Sequence, residues 1–166
     1  VIRPIVSRTR TELLRGAAVA FARAGLRATT MQSIAAAAGV AKATLYNHFR
    51  TKDDVVRELL AVELGRLADA TVALPPVEAL VLLADEVADH PVLRRIAVAD
   101  PVALVELLTA DRARWAGVVE VLAAALRAEP DAAEAAGRWL LGLVLQPADP
   151  PARRRQARLL APALVP

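Results

Sequence analysis

A single glycine limits what this chain can become. Gly39 stands between two short segments of helical apolar spacing, in the stretch TTMQSIAAAAGVAKATLYNHFRTK that begins at Thr29. A tight turn between two helices needs one residue at positive φ, where a Cβ is penalised. Ala35, four residues before Gly39, is small enough for two helices to cross closely, while Ile34, Val40 and Leu45 supply the apolar side chains of a small core between them. The five positions that such a crossing constrains all carry suitable residues, and the pattern is that of a helix-turn-helix. Either Thr29 or Thr30 can cap the first of these helices, and Thr29 with Gln32 has the T-x-x-Q spacing of a capping box.

The second helix, about residues 42 to 48, turns Leu45 and Phe49 inward and leaves a polar surface without a carboxylate. That surface has the chemistry of direct base readout in a major groove: Lys42 can reach guanine O6 and N7, Asn47 can pair with adenine, and the methyls of Ala43 and Thr44 can touch the thymine methyl. Tyr46 and Lys52 suit phosphate oxygens, which fix register without reading sequence. The bland alternatives are a core aromatic at Tyr46 and a helix-start charge at Lys52.

Charge is distributed to match. The chain carries a formal +3, yet residues 1–52 hold nine Lys or Arg against one acid, Glu12, whereas the remainder holds 12 bases and 17 acids. A basic front on an acidic body is the electrostatic footprint of a polyanion-binding head. Arg3, Arg8 and Arg10 could add phosphate or minor-groove contacts from a basic arm, or simply be solvated.

Of 166 residues, 56% are hydrophobic, 3% are aromatic and none is cysteine, so the core must be built from Ala, Leu and Val, a composition that favours helices. Disulfides and thiolate metal sites are excluded. Every long apolar run is broken by Arg, Asp, Glu or Pro short of the roughly 18 residues that a membrane helix needs. No secretory signal pattern is visible, and the start at Val-Ile-Arg suggests trimming or a partial chain. The expectation is a cytoplasmic protein with no membrane partner and no metal or other cofactor.

The predicted architecture is all-α. A first helix over about 8–24, with Thr9 and Glu12 at capping-box spacing, is stopped by Gly25; a head core forms from Phe21, Ile34, Leu45 and Phe49; and a helix over 51–73, capped by Thr51 with Asp53 and Asp54 in its first turn, leads out of the head. This fourth helix is the one continuous element expected to carry a signal between a DNA-binding head at 1–52 and a helical ligand-binding and dimerisation body at 74–166. Prolines divide the body into helices near 76–89, 91–98, 101–128, 131–146 and 151–164.

The segment GLRATTMQSIAAAAGVAKATLYNHFRTKDDVVREL, with RTELLRGAAVAFARAG before it, resembles the DNA-binding domain of the tetracycline-repressor (TetR) family of bacterial regulators over about residues 7 to 60. The resemblance implies phosphate contacts at Thr30, Tyr46, His48 and Lys52 and base-reading positions at Gln32, Lys42, Ala43, Thr44 and Asn47. Ala43 stands where many members have glycine or proline, and Asn47 occupies a variable place, so no operator sequence carries over. The resemblance further implies a homodimer on a palindromic operator in double-stranded DNA, and a small-molecule effector that moves the fourth helix.

In the body, Leu104, Leu108, Trp115, Val118 and Leu122 share one face of the 101–128 segment, interrupted at Asp111 with Arg112 beside it. A charged pair on an apolar stripe either faces a cavity with a polar ligand or points to solvent. His90, before Pro91, is a further candidate for that ligand site, or a helix cap. Ala132, Ala135, Ala136, Trp139, Leu140, Leu143, Ala157, Leu160 and Leu164 form a stripe that fits either a dimer interface between carboxy-terminal helices or an intramolecular core; Arg153, Arg154 and Arg155 read as a solvated face. The chain lacks H-E-x-x-H, G-x-S-x-G, Walker-type and clustered-histidine patterns, so the usual parts of an enzyme are missing. The alternatives to a ligand-responsive repressor are a helical metabolite carrier and a dimeric adaptor that binds no specific DNA.

Overall fold

The computed structural model describes residues 8–109 and 112–164, and all regular structure within them is helical. Helices α1 (Arg8–Ala28), α2 (Met31–Ala38) and α3 (Lys42–Tyr46) make the head, and α4 (Lys52–Thr71) leads out of it. The body contains α5 (Pro76–Ala88), α6 (Pro91–Ala99), α7 (Pro101–Leu108), α8 (Arg112–Leu126), α9 (Pro130–Leu145) and α10 (Pro150–Leu160), closed by a 3-10 turn, Ala161–Leu164. Five body helices begin at a proline, where the missing N–H would have no helical partner in any case.

Two apolar clusters hold the chain together. The first contains Phe21, Ile34, Leu45 and Phe49, as the pattern predicts, but it also takes Val92, Leu93 and Ile96 from α6 and Leu104 from α7. The head is therefore completed by side chains from the far half of the sequence, and α1 packs along α6 as well as along α2. Head and body are thus joined by the packing of α1 on α6 as well as through the continuous helix α4, more than connectivity alone indicates. The second cluster centres on α5, whose Leu80, Leu83 and Ala84 meet Leu122, Leu126, Ala136, Leu140 and Ala157 of α8, α9 and α10.

Several local expectations are corrected. Gly25 interrupts α1 at φ 78°, but a further turn continues to Ala28, and Thr9 lies inside the helix rather than ahead of it. Thr30, not Thr29, caps α2, in a box with Ser33 instead of Gln32; Thr29 is buried and its hydroxyl donates to the Gly25 carbonyl at 2.6 Å. The 101–128 segment is two helices, α7 and α8, and Asp111 lies outside the described residues, as does Arg3. Arg153 is not solvated: it is 4% exposed, with Nη2 donating to Asp89 Oδ2 at 3.0 Å and Nε 2.8 Å from Asp85 Oδ1, a close ion pair whose N–H is not well aimed at the oxygen.

The proposed dimer stripe is mostly this protomer's own core. Ala136, Leu140, Leu143, Ala157 and Leu164 are buried in the body cluster, with Ala132, Trp139 and Leu160 packed against it; Ala135 is the one member that faces outward. Helical spacing alone marks a face and does not say what covers it.

At Gly16, α1 passes so close to α2 that a Cβ would lie 2.5 Å from the backbone of Ala38. Gly16→Ala should cost about 1–3 kcal/mol through overpacking, read from urea midpoints, while Val19→Ala on the exposed side of α1 should stay within about 0.5 kcal/mol. Asp100 is 7% exposed and its carboxylate accepts the Arg27 N–H at 2.9 Å. Asp100→Ala should lower stability by about 1.5–3 kcal/mol, the contribution of a hydrogen bond to a charged group.

Candidate nucleic-acid interface and an adjoining cleft

The turn at Gly39 has the geometry that its sequence position demands: φ 70° and ψ 28°, with its N–H donating to the Ala36 carbonyl and the Val40 N–H to the Ala35 carbonyl. Ile34, Ala35 and Leu45 are buried beneath this turn, which fixes the roll of α3. Once Leu45 and Phe49 face inward, Lys42, Ala43, Tyr46 and Asn47 are exposed and Thr44 and His48 half-buried. Thr30 and Gln32 are exposed at the start of α2. Tyr46 is 44% exposed with the Lys42 ammonium 5.6 Å from its ring centre, so the core-aromatic alternative does not hold.

Lys52 has a structural employment. Its Nζ donates to the carbonyls of Leu26 at 2.8 Å, Arg27 at 3.2 Å and Thr29 at 3.4 Å, closing the carboxy-terminal end of α1. It is half-buried and thus differs from an ordinary helix-start charge. Thr51 and Asp54 close the predicted cap of α4 reciprocally, and the Thr51 hydrogen bond holds the Asp54 carboxyl below its ordinary range.

Beside this surface, between head and body, lies a cleft of about 730 Å³. Of the residues predicted for a ligand site, Leu108, Trp115 and Val118 line it. Leu104 instead belongs to the buried cluster beneath α1, and Arg112 lines a separate groove between α8 and α9. His90 caps α6, its Nδ1 accepting the Leu93 N–H at 3.4 Å. Trp115 is fixed by its indole N–H donating to Glu134 at 3.1 Å and by the Arg138 guanidinium over its ring. The sequence reading missed the α4 side of the cleft, Arg57, Leu60, Ala61 and Leu64, although their spacing of three, four and seven residues marks one helix face. It also missed His48, Phe49 and Arg50, which line the cleft where α3 ends.

No group of three or more His, Cys, Asp or Glu that could hold a metal occurs among the described residues. None of their helices is long and apolar enough to cross a membrane.

Residues 13–59 match the family model described as bacterial regulatory proteins, tetR family. A segment of 51 residues, 31% of this chain, is 55% identical to the HTH-type transcriptional repressor KstR2 of Rhodococcus jostii, and the KstR2 of Mycobacterium tuberculosis H37Rv is 51% identical over 55 residues. The matched segments span only 25% and 28% of those proteins' lengths. The whole fold is shared with the TetR-family repressor AlkX of Dietzia sp. strain DQ12-45-1b, at TM-score 0.70 over 98% of this chain and 97% of that one with 21% identity.

His90 supplies a pH test of the fold. Burial lowers its pKa from the ordinary 6.5, with Glu63, Glu86 and Arg66 as the charges around it. The unfolded chain then binds a proton more readily than the folded one, so stability is fully present above the unfolded pKa and declines as pH falls below it. The urea midpoint should drop on acidification through this range, and His90→Asn, which caps without titrating, should flatten that part of the profile.

Proposed function

We propose, from the match of residues 13–59 to the TetR family model and of a 51-residue segment to a KstR2 repressor, that the chain is a TetR-family, sequence-specific DNA-binding transcriptional regulator, a ligand-responsive repressor acting as a homodimer on a palindromic operator. The observation that carries this reading is the outward face of α3: a carboxylate-free row of Lys42, Ala43, Tyr46 and Asn47, held at fixed roll by buried Leu45 and Phe49. In this reading Gln32, Lys42, Ala43, Thr44 and Asn47 meet base edges, and Thr30, Tyr46, His48 and Lys52 meet phosphates. It acts by binding rather than catalysis, in the cytoplasm.

One such head offers few base contacts, and two related by a dyad can read half-sites a helical turn apart. The stripe assigned to dimerisation from sequence is spent inside the protomer, so the dimer is proposed through the outward faces of α9 and α10. Exposed Ala135, Gly142 and Leu145 on α9 and Leu159 on α10, which is 80% exposed, support that placement. The cleft beside α4 is the proposed effector site. An effector that prefers the form with low operator affinity must in turn be bound less well by the DNA complex, by the same factor.

Fluorescence anisotropy with the gene's upstream region and a scrambled duplex, across a salt series, tests the reading. A tight component that scrambled DNA lacks, above a salt-dependent background, is expected; a carrier or adaptor shows the background alone. Lys42→Ala should cost about 1–3 kcal/mol at its preferred base and relax specificity there, whereas Lys52→Ala should weaken all duplexes alike and also lower thermal stability. Equal effects of both substitutions on cognate and scrambled DNA would remove the assignment of Lys42 to base reading.

A further inference from the structure

The cleft between head and body changes chemistry along its length. On the α4 wall, Asp54, Arg57 and Glu58 occupy the first two turns and Leu60, Ala61 and Leu64 the next; from Asp54 to Leu64 the helix advances about 15 Å. The opposite wall, from α7 and α8, contributes Leu108, Trp115, Val118 and Val121, with Arg114 as its one charged side chain among the described residues. The polar end is the one nearest the sequence of α3, since His48 and Arg50 line the same cleft.

At that end the acids are already engaged. Glu58 accepts from Arg10 Nε at 3.1 Å, and Asp54 accepts from the Thr51 N–H at 3.0 Å in the α4 cap. Arg50 and Arg57, both exposed, bring positive charge beyond these pairs. An apolar trough leading to an arginine-bearing mouth suits a molecule with one long apolar tail and one negative end: the tail gains by leaving water, and a planar guanidinium forks onto a carboxylate.

Resting on the cleft's assignment as the effector site, we propose that its ligand is a single-tailed carboxylate, lying with its tail along Leu64, Leu108, Trp115 and Val118 and its acid group at Arg50 and Arg57. The acid group then sits against the turn that follows α3. His48 belongs both to this cleft and to the phosphate-contacting set, so a bound carboxylate and a DNA phosphate draw on the same few side chains. Effector and operator weaken each other at short range, in addition to any swing of α4.

Trp115 reports on the site, and Trp139 does not line it, bonding instead to Gln156 at 3.0 Å. Titrations of the full chain without DNA, by Trp115 emission in a Trp139→Phe variant and by calorimetry on the unaltered chain, use dodecanoate below its micelle concentration, with dodecanol and butanoate as tail-only and charge-only probes. Saturable binding of dodecanoate, at least tenfold tighter than either control, is expected. Arg50→Gln with Arg57→Gln should weaken dodecanoate about tenfold and leave dodecanol unchanged, and dodecanoate should weaken operator binding by the intact chain. Absence of saturable binding, dodecanol binding as tightly as dodecanoate, or indifference of dodecanoate to the arginine substitutions overturns the assignment. A chain that recognises its promoter but ignores dodecanoate overturns this inference alone, whereas one that binds dodecanoate but no specific duplex supports the ligand class and overturns the DNA reading.

Discussion

Closing the carboxy-terminal end of α1 is the constraint on which the relation of head to body depends. A helix end exposes carbonyls that its own turns cannot satisfy, and here two donors, Thr29 and Lys52, meet them while a buried carboxylate takes up a backbone N–H beside them. Thr29 donates to Gly25, Lys52 from the start of α4 donates to Leu26, Arg27 and Thr29, and Asp100, where α6 meets α7, accepts the Arg27 N–H. Hydrogen bonds to charged groups contribute about 1.5–3 kcal/mol each, and these set the position of α1 against both α4 and α6. Gly25 makes the approach of Asp100 possible: a Cβ there would lie 3.0 Å from the Asp100 carboxylate, on a backbone already at φ 78°.

This junction joins head and body by more than the peptide chain. Peptide connectivity makes α4 the sole covalent link, yet packing ties α1 to α6 through Val92, Leu93 and Ile96 and through the Asp100 carboxylate. A shift in either α4 or α6 is felt at the same end of α1. The cleft bordered by α4, α7 and α8 touches His48 to Arg50 as well, so the turn after α3 is reached from the body without an intervening helix.

The head was legible in sequence because its constraints are local. Gly39 must adopt positive φ, Ile34 and Leu45 must be apolar, and both partners of the Thr51 cap lie within four residues. What failed depends on pairing across distance. The roll of α9 and α10 is set by α5, so a stripe that could have met a second copy is covered by Leu80, Leu83 and Ala84 instead. The α7–α8 break follows no glycine or proline between residues 102 and 126 apart from Gly117, which lies inside α8. Lys52 and Asp100 had no sequence signal for their roles, since their partners are backbone groups 23 to 26 and 73 residues away.

Arg153 carries a last consequence. Helices rich in alanine and leucine offer many near-equivalent ways to slide past one another, and α10 lies on α5 with just such side chains between them. A slip of α10 by one turn would bring Ala157 or Asp149 to the place of Arg153 and leave Asp85 and Asp89 facing a methyl group or a third carboxylate. The ion pairs thereby pin the axial register of the final helix, and with it the fixed pattern of Arg154, Arg155, Arg158 and Leu159 that α10 shows to anything docking from outside.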